Sequence, residues 1–216
     1  MPAITVSREI GSLGDTIAEQ TARRLGYVLV DKNVIGKIFG QFGIVDFKET
    51  YDESGFWSRF DPHHTEMAHL LNQIIEALVF HGNIVLLGRG GFALLKDYAD
   101  VLNVRIQAPF SIRVARVMEE YGLAGQAAAA EFVKVNDRMR RSFVESIYGH
   151  QWDAVTAFDL VIDTGKISPE LAVDWLNAEI AQMAQSLHAE KRTTRDIQID
   201  TVLARTVDEI IALQAD

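Results

Sequence analysis

Five short apolar runs punctuate the chain, at residues 3–6, 27–30, 84–87, 101–106 and 158–162. They are rich in Val, Ile, Leu and aromatics and lack the polar alternation of a strand with one wet face, so they predict strands covered on both sides. Between them, apolar positions fall three or four apart. Ile17, Thr21, Ala22 and Leu25 predict one helix, with Gly26 placed to end it. Val34, Ile35, Ile38, Phe39 and Phe42 predict a second, and the stripe from Met67 to Val79 a third and stronger one. Ile112, Ala115 and Met118 follow, then Phe132, Val135, Met139 and Phe143 on a long charged helix. Ser168 and Pro169 stand as N-cap and first residue of a helix carrying Leu171, Trp175, Leu176, Ile180, Met183 and Leu187. Alternating strands and helices imply right-handed crossovers and a mainly parallel α/β sheet. Ligands of such sheets sit beyond the carboxyl ends of the strands. That singles out the loops at 7–16, 31–33, 88–91, 108–110 and 163–166.

Two stretches break the pattern. Residues 46–64 are rich in Asp, Glu, Ser and aromatics and read as an irregular insertion; residues 190–196 read as a charged linker without apolar period. Val202, Leu203, Val207, Ile210 and Ile211 then predict one more amphipathic helix, packing on the domain or on a second subunit in a homodimer.

Composition narrows the function. Thirty acidic against 21 basic side chains leave a net charge of −9, which argues against a general nucleic-acid or membrane-surface binder. Cys is absent, so disulfides, thiolate metal sites and a cysteine nucleophile are excluded. The opening residues show no basic, apolar leader pattern and no apolar run is long enough to span a bilayer, so the expectation is a soluble cytoplasmic protein. His63, His64 and His69 lack the spacing of a zinc site, and no Ser lies in a G-x-S-x-G turn.

The strongest chemical signal is the first loop, Ser7-Arg8-Glu9-Ile10-Gly11-Ser12-Leu13-Gly14-Asp15-Thr16. Two glycines allow a tight turn into a helix whose first N–H groups lack partners, and an anion is favoured there by those donors and by the helix dipole. The loop does not match the phosphate-loop pattern G-x-x-x-x-G-K-[ST], and Gly-rich strand-to-helix turns are also common as plain structure.

This opening, Ile4-Thr5-Val6-Ser7-Arg8-Glu9-Ile10-Gly11-Ser12-Leu13-Gly14, resembles that of the cytidylate kinase-like family. The resemblance continues through Leu25-Gly26-Tyr27 with Val30-Asp31-Lys32, Val85-Leu86-Leu87-Gly88-Arg89-Gly90, Ala108-Pro109 with Arg113 and Arg116, and Asp137-Arg138 with Arg140 and Arg141. It runs on through Tyr148, Trp152, Phe158-Asp159-Leu160 and Asp163-Thr164, covering roughly residues 3 to 180. The resemblance implies a P-loop NTPase-type three-layer sandwich: α/β, with a five-stranded parallel sheet and a helical lid, to which the apolar spacing near the end adds an extra C-terminal helix outside the resemblance. The expected division is a nucleotide-kinase-like domain at residues 1–188, with the lid at about 118–150, and, outside the resemblance, a charged linker and helix at 189–216. The resemblance also implies transfer of the ATP γ-phosphoryl, with Mg²⁺, to a nucleoside monophosphate, CMP or dCMP foremost. A catalytically degenerate nucleotide- or anion-binding module of the same fold is the alternative.

The roles implied are these. Arg8, Gly11, Ser12, Leu13, Gly14, Asp15 and Thr16 would hold ATP phosphates, with the Thr16 hydroxyl near Mg²⁺. Thr16 could equally cap the helix. Gly14 falls where an ordinary phosphate-loop lysine would stand, and Asp15 occupies a position where the family often has Arg. A carboxylate there repels a triphosphate unless a metal intervenes, which leaves Arg8 as the nearest replacement cation. Arg8 could instead pair with Glu9 or another carboxylate. Asp31 would begin the monophosphate site or cap the following helix, and Arg89 would take the acceptor phosphate. Arg138 and Arg141 share a helix face at i, i+3 and would reach the transferring phosphoryl from the lid, while Arg140 points elsewhere. Arg113 and Arg116 could flank the same lid.

Overall fold

The computed structural model describes residues 2–44, 62–186 and 191–214. Five strands form one parallel sheet: β1 (Ala3–Arg8), β2 (Val28–Val30), β3 (Ile84–Leu87), β4 (Val101–Gln107) and β5 (Leu160–Asp163). Their spatial order is β2-β3-β1-β4-β5. The helices are α1 (Gly14–Leu25), α2 (Lys32–Gln41), α3 (Pro62–His81), α4 (Gly91–Leu94), α5 (Phe110–Glu120), α6 (Gln126–Tyr148), α7 (Pro169–Ser186) and α8 (Thr201–Ala212).

Alternation along the strands splits the core into two layers. Ile4, Val6, Val85 and Val104 point to the face covered by α1 and α7, where they meet Ile17, Leu176 and Ile180. Ala3, Ile84, Leu86 and Val101 point to the face covered by α2, α3 and α8. Helices on both faces explain why the strands read as apolar runs. Two polar side chains inside the sheet satisfy each other: Thr5 Oγ1 donates to Asn103 Oδ1 at 2.7 Å. The helix pair α5–α6 stands apart over the carboxyl ends of the strands, with its own small core of Val114, Val117, Ala129, Val133 and Ile10.

Three expectations are corrected. The last strand starts two residues later than its apolar run. Asp159 is spent on β4, its N–H donating to Asn103 O and its carboxylate accepting from Asn103 N. The expected irregular insertion at 46–64 gives way to α3 at Pro62, where proline suits a first turn; residues 45–61 lie outside the described residues. The presumed linker is anchored, because Thr193 and Asp196 form a capping box and Thr194 is buried against Asp100. Thr194 N and Oγ1 donate to the two Asp100 carboxylate oxygens at 2.7 and 2.6 Å. From that anchor α8 turns its apolar face inward. Leu203, Val207, Ile210 and Ile211 are buried in the same core as α2 and α3, each worth roughly 1.5–3 kcal/mol. The C-terminal helix packs on its own chain.

Candidate active site

A cavity of about 540 Å³ opens at the carboxyl edge of β1 and β3, beneath α6. It draws Arg8 from the end of β1, Asp15 from α1, Asp31 and Lys32 from the start of α2, Arg89 from the turn after β3 and Arg140 from α6. Four cationic side chains against two acidic ones give the cavity a surplus of two positive charges, in a chain whose net charge is −9. Aromatic side chains, among them Phe92, Phe132, Phe143 and Trp152, make up much of the remaining wall. An anion joined to a flat, partly apolar group suits such a lining.

The loop after β1 is tied down by buried charge. Glu9 sits between two buried arginines, with Oε1 3.3 Å from Arg105 Nη2 and Oε2 3.2 Å from Arg113 Nε. Arg113 Nη1 donates to Asp137 of α6 at 2.7 Å and to the carbonyl of Ile10 at 3.2 Å. Asp137 in turn accepts from the Ile10 N–H at 3.3 Å. Arg105 lies over the Trp152 ring, 4.6 Å from its centroid, and burial lowers its pKa. The loop and α6 are thus docked through one network of four charges.

Within the loop, Gly11 has φ +72° and lies so close to α5 that a Cβ would stand 2.8 Å from the Arg113 carbonyl oxygen. Its own carbonyl accepts from Arg116 Nη1. Ser12 is buried; its hydroxyl donates to Glu9 O, and its carbonyl accepts from Thr164 Oγ1. Leu13 takes the left-handed conformation at the start of α1, and no side chain caps that helix. Of the expected phosphate-holding residues, Arg8 and Asp15 line the cavity; Gly11, Ser12, Leu13, Gly14 and Thr16 do not. The loop residues are packed against α5, β1 and the turn after β5, while Thr16 is exposed on the first turn of α1. Arg113 and Arg116 serve this packing and do not line the cavity.

Arg8 and Asp15 pair with each other, Nη2 to Oδ1 at 2.9 Å. Partial burial alone would raise the Asp15 pKa. The charge and hydrogen bonds of Arg8, with Arg140 nearby, hold it below the usual carboxylate range. Asp31 lines the cavity and also caps α2, its Oδ1 accepting from Asn33 N and Val34 N at 2.8 and 3.0 Å. The helix-capping reading of Asp31 holds, and the same carboxylate is exposed to the cavity.

The three arginines of α6 separate in the structure the other way round from the expectation. Arg138 is exposed, and Arg141 points outward to Asp153 at 2.7 Å; neither lines the cavity. Arg140 does. Its Nη1 is shielded from solvent and has no hydrogen-bond partner among the described residues. Burial first, and Arg8 second, pull its pKa down to about 10. The signal was present in the apolar stripe. Phe132, Met139 and Phe143 mark the inward face of α6, and residue 140 adjoins it, one turn before 143, whereas 138 and 141 flank the opposite side.

Comparison with known proteins agrees with this architecture. A profile of the cytidylate kinase-like family matches residues 3–166. A cytidylate kinase of Pyrobaculum aerophilum is 29% identical over 177 residues, covering 80% of this chain and 89% of that protein. One of Pyrobaculum calidifontis is 26% identical over 169 residues, covering 78% and 86%. A uronate isomerase of Corynebacterium glutamicum is 39% identical over 92 residues, 42% of this chain, and the chain spans only 17% of that protein's length. Among solved structures, an uncharacterized protein from Eubacterium ventriosum superposes with a TM-score of 0.66 at 20% identity, covering 84% of this chain and 99% of that one.

Proposed function

We propose, from the premise that this chain belongs to the cytidylate kinase-like family, that it is a nucleotide kinase moving the γ-phosphoryl of ATP to a nucleoside monophosphate, with CMP or dCMP as acceptor. The observation that carries the reading is the convergence of Arg8, Arg89 and Arg140 on one cavity, with Arg140 Nη1 shielded from solvent and without a hydrogen-bond partner among the described residues. A buried guanidinium N–H without an acceptor costs stability, so a site that keeps one is built to receive an anion. Phosphoryl transfer asks a protein mainly to position two anions and to offset the charge developing between them. Arg8 and the uncapped start of α1 face the donor phosphates, Asp31 and Arg89 the acceptor, and Arg140 reaches in from above.

The residues fit Mg²⁺ as well as polyphosphate. Mg²⁺ generally keeps several waters and takes one or two protein oxygens, and when bound it would offset phosphate charge. Asp15, half exposed and lining the cavity, would hold the ion, and the hydroxyl of Thr16, which does not line the cavity, would have to turn toward it to supply a second oxygen. Asp15, paired with Arg8 in the unliganded protein, must exchange that partner when a triphosphate arrives. Arg140 takes the place given above to Arg138 and Arg141. The reaction is placed in the cytoplasm, where both substrates are abundant.

A coupled assay with ATP, Mg²⁺ and each of CMP, dCMP, UMP and AMP tests the proposal. Turnover is expected with CMP or dCMP, and a fall of about 100-fold or more in kcat/KM for Arg140→Met. The Arg140 pKa is lower in the folded than in the unfolded protein, so its charge costs stability at every pH below about 10. Arg140→Met is therefore expected to raise Tm at neutral pH while it removes activity. Folded protein that turns over none of the four acceptors overturns the proposal.

A further inference from the structure

We propose that Tyr148, the last residue of α6, is a positioning residue that sets the acceptor-side cation Arg89; the inference rests on the acceptor role given to Arg89 above. The turn after β3 places three successive residues in the left-handed region: Gly88 at φ +78°, Arg89 at +55° and Gly90 at +69°. The glycines adopt it freely, but for an arginine it costs roughly 1–2 kcal/mol. Such a backbone persists only where its surroundings hold it.

Tyr148 is placed to hold it. Its ring covers Gly90 so closely that a Cβ there would stand 2.1 Å from Cε2. Its hydroxyl lies 3.3 Å from the Arg89 carbonyl oxygen and 2.9 Å from Asn72 Oδ1 on α3. A phenol has one proton and cannot donate to both. If the Asn72 amide is turned over, its NH₂ donates to the phenol oxygen and the phenol proton goes to the Arg89 carbonyl; amide O and N have the same shape, so both orientations fit. Burial pushes the Tyr148 pKa up, which keeps that proton in place at working pH. The Phe143 ring, also from α6, lies 5.7 Å from Arg89 Cζ. One helix therefore steadies Arg89 from both its backbone and its side-chain end.

The same helix carries Arg140 eight residues earlier, about 12 Å along its axis. A rigid α6 thereby relates the acceptor-side cation to the cation above the donor side. Tyr148 touches the backbone of Arg89 and not the reacting groups, so its removal is expected to act on one substrate.

The test is Tyr148→Phe, which keeps the ring over Gly90 and removes only the hydroxyl. Arginine Nε–Hε correlation spectra of the unliganded protein, with the Arg89 signal identified by its loss in Arg89→Lys, are expected to show that signal shifted or broadened in Tyr148→Phe while the Arg140 signal stays. In the kinase assay, KM for CMP is expected to rise roughly three- to tenfold, the worth of one hydrogen bond, with KM for ATP within about twofold of wild type. Asn72→Ala, which removes the other partner of the phenol, is expected to move the Arg89 signal less and in the same direction. An unmoved Arg89 signal in Tyr148→Phe overturns the proposal, as does an equal rise in both KM values. If the wild-type protein turns over no acceptor, the functional reading fails, and the Arg89 signal still decides whether Tyr148 holds the turn.

Discussion

The loop after β1 and the turn after β3 leave adjacent strands at the same edge of the sheet and meet at the same cavity, yet different forces hold them. The first is fixed by charge: Glu9 between Arg105 and Arg113, Asp137 on the Ile10 amide, Asp15 on Arg8. The second is fixed by contact, with two glycines around Arg89, one aromatic ring over Gly90 and one phenol beside the Arg89 carbonyl. A charge network can keep a loop in place while leaving its backbone donors for a ligand, but removing one member strands the others in a poorly solvated place. A packed turn tolerates loss of a polar group and fails instead when atoms are added.

The largest effect should come from the network. Glu9→Gln leaves two buried guanidiniums without their shared carboxylate, an expected loss of about 3–5 kcal/mol. Thermal unfolding should show Tm lowered by roughly 6–20 °C. A loss under about 1 kcal/mol would mean that packing under α5, and not charge, holds the loop. Gly90→Ala should cost less, roughly 1–3 kcal/mol, through its positive φ and the overlap with Tyr148. Paired with Tyr148→Leu in a double-mutant cycle, the two costs should sum to less than their separate values; strict additivity would show that the ring does not press on the turn.

Asp15→Asn should have the smallest effect on stability, under about 1 kcal/mol, because the carboxylate is half exposed and its pairing is screened. The sign against pH follows from its lowered pKa. The stabilisation is fully present above the ordinary value near 3.8 and is lost as pH falls through the lower native value. The Tm difference between wild type and variant should therefore close below about pH 4. Binding should move the opposite way. With Arg8 released, ATP affinity measured by calorimetry without Mg²⁺ should rise several-fold, by about the worth of one charge-assisted hydrogen bond. Unchanged affinity would mean that Arg8 is not reached by the nucleotide.

Much of this molecule follows from local pattern. Apolar runs with β-branched residues had to become covered strands, and stripes three or four apart had to become helices over them, because no other arrangement buries those side chains with their backbone groups paired. The carboxyl edge of the sheet as the place of a cavity was legible for the same reason, and Arg8, Asp31 and Arg89 do line it. The stripe on α6 carried the side on which residue 140 lies, but only tertiary structure showed that this side faces a cavity. The docking of α6, through Asp137 and Arg113, brings that side of the helix with Arg140 over the cavity and leaves Arg138 and Arg141 off it. Tertiary structure alone decided that Glu9 would serve two arginines about a hundred residues downstream, that Asp15 would find Arg8, and that the charged stretch before α8 would be pinned by Asp100. Charge pairing and hydrogen bonding depend on distances of a few ångströms between segments far apart in the chain, and a periodic pattern carries no record of those distances.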